Sequence, residues 1–286
     1  MKAELKKILV FIMIMSGLML FGCSSDSDNE TKIKKDNLPD YFGPELYNAA
    51  YALYEKDGSE ITQYINVMSR IEIPEALVVG IESTGGEFDF SITTAKGDYK
   101  IDDYTLYEIK IELKNIKFTD EVISINEISI YDESAKDKII SIKPQKCEFT
   151  YTEGNFDNDD LIFTGTPLSL PKDMNYLTYE IDADERLTIN EIKLSNDDFI
   201  ITNRDDCKNI EIKKNQNTES VKMIFKIRET ELSKYTQYIT SAVFYYTEKD
   251  VEYISMTPVN QIIYNHTLEY DDNLAEYYNE VILKSN

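Results

Sequence analysis

Apolar and polar side chains alternate most cleanly at Tyr107, Ile109, Ile111 and Leu113, which interleave with Glu108, Lys110, Glu112 and Lys114. A period of two with one wet face predicts a half-buried antiparallel strand. Comparable runs recur at Phe88–Thr93, Ile139–Lys143, Cys147–Tyr151, Leu177–Ile181 and Val221–Ile227. Long helical patterns do not alternate with them, which argues against a parallel α/β architecture. Before residue 75 the period is different. Leu46, Ala49, Ala50, Leu53 and Tyr54 fall on one face of a 3.6-residue helix, and Ile61, Tyr64, Ile65 and Met68 fall on another. Pro44 and Glu45 suit a first turn, Asp57-Gly58 an exit, Ser59 a cap and Pro74 a stop. At the C-terminus Tyr264, His266, Leu268 and Tyr270 fit a strand, and Leu274, Tyr277, Tyr278, Val281 and Ile282 fit a short helix after it.

One pattern occurs twice. Glu121–Ile130 (EVISINEISI) parallels Glu185–Leu194 (ERLTINEIKL), and in both the alternation slips by one residue at Asn-Glu and then resumes. A slip flips every later side chain to the opposite face unless a bulge absorbs it. Each copy follows a Tyr-Glu-Ile stretch, at Tyr107–Ile109 and Tyr179–Ile181, as a duplicated β-domain would require. The expected fold is therefore mainly β, with two antiparallel β-sandwich domains at 75–180 and 181–286, preceded by a short helical pair at 38–74. In size and strand spacing the two units resemble immunoglobulin-like modules of bacterial surface proteins. No cysteine–tryptophan–cysteine core accompanies that pattern, since tryptophan is absent.

The first 22 residues are of another kind. Lys2, Lys6 and Lys7 precede an apolar run from Ile8 that continues through Ser16-Gly17 to Leu20-Phe21-Gly22-Cys23. A basic start, a short apolar stretch and a small residue before the cut predict a secretory signal peptide over 1–22. The run falls short of the ~20 apolar residues that span a bilayer. Leu20-Phe21-Gly22-Cys23 resembles the lipobox of bacterial lipoproteins. That resemblance implies that Cys23 carries a diacylglyceryl group and a palmitate-class acyl chain, and becomes the mature N-terminus. Residues 23–37 are Ser-, Asp- and Lys-rich, too polar to bury a core, and predict a flexible tether. The expected location is lipid-anchored on the extracytoplasmic side of the membrane.

Charge narrows the partners. The chain has 30 basic and 53 acidic residues; without residues 1–22 these become 27 and 52, a formal charge of −25. That field disfavours nucleic acid and anionic headgroups, and leaves the membrane, through the lipid, and an envelope protein or glycan as expected partners. Cys147 lies in a strand-like run and Cys207 in a polar stretch, with nothing local to bring them together, so both are expected free.

Catalytic signatures are sparse. The one histidine, His266, has strand periodicity around it, and no Gly-x-Ser-x-Gly elbow or paired-histidine zinc spacing occurs. Gly165 is the last glycine, which denies residues 166–286 a phosphate-cradling loop, and Gly85-Gly86 reads as a hairpin turn. Asn155, Asp157 and Asp159 have the spacing that opens an EF-hand, but residue 160 is Asp where glycine is needed and residue 166 is Thr where glutamate belongs. With Asp182, Asp184 and Glu185 they are the weak calcium candidates; otherwise no metal, cofactor or catalytic residue is expected. The leading expectation is a non-catalytic envelope module for interaction or spacing. A carbohydrate- or calcium-binding module is the alternative and a hydrolase the third, and a cleft of tyrosines and converging carboxylates would favour the alternative. Labelled palmitate should enter the full-length protein and not Cys23→Ala. An unlabelled, freely soluble product would contradict the anchor.

Overall fold

The computed structural model describes residues 37–74, 78–131, 138–156, 161–164, 169–171, 176–183, 186–212, 219–257, 260–263 and 270–285. The strong alternation at 107–113 becomes strand β6 (Tyr104–Phe118), whose Tyr107, Ile109, Ile111 and Leu113 are buried while Lys110 and Glu112 pair on the wet face at 2.5 Å. β6 lies between β3 (Asp57–Ser69) and β5 (Gly86–Ile101), with the two-residue β1 (Tyr41–Phe42) beyond β3. Facing them across one core are β2 (Tyr47–Leu53), β4 (Val78–Thr84), β7 (Val122–Tyr131), β8 (Lys138–Ile142) and β9 (Lys146–Tyr151).

A second core lies between two further antiparallel sheets. One has the order β10 (Leu161–Thr164), β12 (Tyr176–Ala183), β16 (Glu219–Ile227) and β14 (Phe199–Ile201). The other has the order β15 (Ile210–Ile212), β13 (Leu187–Leu194), β18 (Ala242–Glu248) and β19 (Val251–Met256). Leu177, Tyr179, Met223 and Phe225 from the first meet Leu187, Ile189, Phe244 and Tyr246 from the second. The protein is thus mainly β and sandwich-like. Pro39–Glu280 is one compact unit and holds every strand among the described residues.

The expected helical pair at 38–74 is replaced by strands, and burial explains why the sequence misled. Only Pro44–Leu46 is helical there, a single 3₁₀ turn. β2 is buried almost throughout, because it lies inside a sheet that is covered on both faces; such strands lose their alternation and their apolar residues no longer signal a period of two. In β3 the inward face is Ile61, Gln63, Ile65 and Val67, and the polar but buried Gln63 hides the alternation. Tyr47 Oη donates to Gln63 Oε1 at 2.5 Å, while the buried Nε2 has no hydrogen-bond partner among the described residues.

The sheet containing β2 also departs from the antiparallel expectation. Its order is β11-β20-β17-β2-β9-β7-β4, where β11 is Ser169–Pro171, β17 is Gln237–Thr240 and β20 is Asn260–Ile263. β2 pairs in parallel with both β9 and β17, and β11 pairs in parallel with β20. β17 runs directly into β18 of the second sandwich, so this sheet joins the two cores. The expected boundary at 180/181 falls inside β12, and the first core draws on residues 47–149 together with Ile239. Gly85-Gly86 is also no hairpin. It is the corner where the chain leaves β4, paired to β7, for β5, paired to β6. Gly85 has φ +82°, and a Cβ there would meet Val122 O at 1.9 Å.

The repeated motif has a clear structural meaning. Glu82 pairs with Glu127 and Ser83 with Ile125, leaving Asn126 unpaired; Ile189 pairs with Tyr246 and Glu191 with Tyr245, leaving Asn190 unpaired. Each Asn is the extra residue of a β-bulge, so Ile123, Ile125, Ile128 and Ile130, like Leu187, Ile189 and Ile192, all stay buried. The two strands are not equivalent in the fold. β7 lies between β4 and β9 and its bulge faces an earlier strand, whereas β13 lies between β15 and β18 and its bulge faces a later one. What recurs is a crossover from one sheet of a sandwich to the other, from β6 to β7 and from β12 to β13.

The C-terminal helix α1 (Tyr270–Tyr277) follows β20, and Leu274, Tyr277 and Tyr278 are buried. Tyr278 stacks on Phe42 at 5.7 Å, and Tyr277 meets Tyr235 edge-on at 5.2 Å. Beneath this aromatic cluster Glu45 accepts from the Gly43 N–H at 3.0 Å and bonds Tyr277, while burial raises its carboxyl above the ordinary range. A raised folded-state value means that the stability from protonated Glu45 is complete below the unfolded value and is lost as pH rises through the folded one. Glu45→Gln, which keeps an acceptor without the charge, should therefore gain stability over the wild type as pH rises, with the difference shrinking in acid. Urea midpoints across pH check this; a constant difference would contradict it.

Candidate functional site

The bulge at Asn190 shapes the surface where the side-chain chemistry converges. An extra residue leaves Asn190 and Glu191 both half-exposed on consecutive positions of β13. Asn190 Nδ2 donates to Thr247 Oγ1 on β18 at 2.7 Å, which fixes the amide against the neighbouring strand. Opposite, Tyr245 and Tyr246 on β18 pair with Ile254 and Tyr253 on β19. Tyr246 is buried and stacks on Tyr253 at 5.5 Å with 24° between the rings, so both rings belong to the core face of the sheet and Tyr245 to the other. Lys193 Nζ sits 4.7 Å over the Tyr245 ring and 3.2 Å from Glu191.

Residues 152–156, which leave β9, form the other wall. The Ile254 N–H donates to Asn155 O at 2.8 Å, Asn155 Nδ2 donates to Glu252 O at 3.1 Å, and Phe156 meets Tyr54 edge-on at 5.2 Å. The approach is close enough that a Cβ on Gly154 would stand 2.4 Å from Ile254 Cδ1. Between this wall and the sheet lies a cavity of about 400 Å³, lined by Glu153, Asn155, Asn190, Glu191, Tyr245 and Glu252. Its volume is within the range of small-ligand sites. The lining supplies a phenol ring, carboxylates and amides, the groups that hold a polyhydroxylated ligand through its apolar faces and its hydroxyls.

Of the calcium candidates among the described residues, Asn155 is placed in this cleft, where its side chain bonds the Glu252 carbonyl. Asp157, Asp159, Asp184 and Glu185 lie outside the described residues, as do Cys23, the 1–22 segment, the tether to residue 36, and His266. Asp182 is on β12, its Cα opposite Ile162. Among the described residues no group of three or more His, Cys, Asp or Glu has the arrangement to hold a metal ion, and no helix is long and apolar enough to cross a membrane.

Cys147 and Cys207 are free and buried, one in each core. Burial pushes the Cys147 thiol up to about 12, and it raises that of Cys207 as well, so neither is a ready nucleophile. Tyr245 opens to the cleft, whereas Tyr246, Tyr277 and Tyr278 are buried in aromatic contacts. Glu153 and Glu252 carried no sequence signal, whereas the phase slip at Asn190-Glu191 did mark the cleft's centre.

No family model matches the chain, and no curated protein matches it. Among solved structures, a β-glucuronidase from Parabacteroides merdae is similar over 76% of this chain at 9% identity, with a TM-score of 0.19. The chain spans 23% of that protein's length, and the likeness is too slight to carry an argument. Gly154→Ala should lower stability by roughly 1–3 kcal/mol, since Ile254 or the 152–156 segment must shift. Urea unfolding measures the loss, and an unchanged midpoint would show that the wall is not closely seated.

Proposed function

We propose that the protein is a lipid-tethered, non-catalytic binding module of the cell envelope whose cleft beside the Asn190 bulge takes a carbohydrate. The observation that supports this most is that Tyr245, Glu153, Asn155, Asn190, Glu191 and Glu252 line one cavity of about 400 Å³. Aromatic faces pair with the C–H faces of a sugar ring, and each carboxylate accepts from two neighbouring hydroxyls. Tyr245 is covered by the Lys193 ammonium, and Asn155 and Asn190 are hydrogen-bonded to the neighbouring strands, so little side-chain freedom is lost on binding. The carboxylates in the lining and the formal charge of −23 favour a neutral or amino sugar at this cleft.

The lipobox-like Cys23 and the polar residues after it support the tethered part of the proposal. About 15 linker residues reach a root-mean-square distance of roughly 20 Å, enough for a module on the membrane to meet glycans of the surrounding envelope. On this reading the protein works by contact and without turnover.

A glycan array probed with the full-length chain, followed by calorimetry on the best ligand, tests the reading. Saturable binding to a neutral or amino glycan is expected, weakened at least about tenfold by Tyr245→Ala, a loss of ~1.4 kcal/mol or more. The glycan should be recovered uncleaved. Absence of saturable binding, or affinity untouched by the substitution, would contradict the cleft assignment; cleaved product would contradict the non-catalytic reading.

A further inference from the structure

On the other side of β13 lies a second concavity of about 350 Å³, and its chemistry is the reverse of the first. Its floor is apolar, made by Ile192, Leu194, Phe199 and Cys207. Its rim carries Arg204, Lys208 and Arg228 together with Glu191 and Asp197, while the Lys193 that also lines it turns its ammonium to Tyr245 and Glu191. Three cations around one small groove are a marked concentration in a chain with 30 basic and 53 acidic residues. We propose that this groove is a separate binding site for a compact anionic ligand bearing a carboxylate, sulfate or phosphate group. It goes beyond the carbohydrate cleft and does not depend on it.

The balance of ion pairs leaves positive charge to spare. Glu191 is engaged by Lys193 at 3.2 Å, and Asp197 is engaged by Lys146. Arg228 Nε is 3.9 Å from Asp198 Oδ1, beyond hydrogen-bond length. Arg204 and Lys208 are exposed and have no acidic partner among the described residues. Asp205 and Asp206 share the turn with Arg204 but do not line the groove. The acidity of the rest of the molecule acts weakly here, because exposed charges more than about 8 Å away are screened at physiological ionic strength. It does disfavour a long polyanion, which would lie along acidic surface as well, and the small enclosed volume selects a compact ligand.

The rim is held in shape before any ligand arrives. Asn203 Nδ2 donates to Lys222 O at 2.8 Å, and its Oδ1 accepts the Ile224 N–H at 2.7 Å, which fixes the Arg204–Cys207 turn to β16. At the other end the Asn209 N–H reaches the Asn190 carbonyl, left free of the ladder by the bulge, at 3.4 Å. Arg228 is placed by its own N–H, which donates to Asp198 O at 2.8 Å. A preformed cationic rim over an apolar floor spends little of its interaction energy on ordering.

Calorimetric titration of the full-length chain with inorganic phosphate, sodium sulfate, galacturonate and galactose tests the proposal. The anions should bind saturably. Arg204→Ala combined with Lys208→Ala, both on the exposed rim, should weaken them at least about tenfold. Lys114→Ala, a half-exposed lysine of the first sandwich, should leave affinity within about twofold. Tighter binding of galacturonate than of phosphate would assign the groove to a sugar acid, and equal binding would assign it to the anionic group alone; both support the site. No saturable anion binding, or an equal loss in Lys114→Ala, would overturn it. Because galactose binding and the Tyr245→Ala effect belong to the other cleft, failure of either site leaves the other's test readable.

Discussion

The parallel pairing of β17 with β2 is the constraint from which the rest of the structure follows. β17 belongs in sequence to the strand that continues as β18 in the second sandwich, yet Gln237, Tyr238, Ile239 and Thr240 pair with Tyr47, Asn48, Ala49 and Ala50 of the first. Parallel pairing needs no local turn, so only tertiary structure fixes its register. A buried polar cluster does so. Asn196, fully buried, donates from Nδ2 to Asn48 Oδ1 at 2.9 Å and to Ile239 O at 3.1 Å. Its own N–H bonds Thr240 Oγ1, Ser195 Oγ donates to Ala50 O, and Asn48 Nδ2 donates to Asp198. Lys146 adds ion pairs to Asp197 and to Asp198. Removing one member of such a network strands the others without partners, at about 1–3 kcal/mol for each buried group.

This junction sets the geometry of the candidate sites. With β17 held against β2, β18 and β19 are placed so that residues 152–156 can cross from the end of β9 onto Ile254 and close one wall of the cleft. A small satellite core of Val243, Ile254 and Met256, packed by Ala52, Tyr54 and Phe156, fills the space beneath that crossing. The Asn190 bulge then divides the surface in two. Its side chain looks to the acidic, tyrosine-lined cleft, its carbonyl holds the turn that carries the cationic rim, and Glu191 lines both. One extra residue in one strand therefore separates two sites of opposite charge.

Strands with one wet face were legible from sequence, because solvent writes the period of two into Glu108, Lys110 and Glu112. Both bulges were legible for the same reason, since the slip at Asn126-Glu127 and at Asn190-Glu191 is visible wherever alternation surrounds it. Three features were not. β2 lost its pattern by burial on both faces, β3 lost it to the buried Gln63, and the parallel pairs of the shared sheet leave no local mark. The duplicated motif misled in a different way: it encodes a bulged crossover, and such a crossover serves at two non-equivalent places. Of the candidate site, the sequence marked Asn155 and the bulge, whereas Glu153 and Glu252 come together only through the seating of one segment on β19.

If the β2–β17 pair and its Asn196 cluster bind the sandwiches into one cooperative body, the two cores must unfold together. Hydrogen exchange read by mass spectrometry at increasing urea, on peptides from β6 in the first core and β16 in the second, measures this directly. The account predicts coincident midpoints in the wild type, and midpoints that separate in Asn196→Ala. Well-separated midpoints in the wild type would contradict it, because the junction would then be a contact between independent modules.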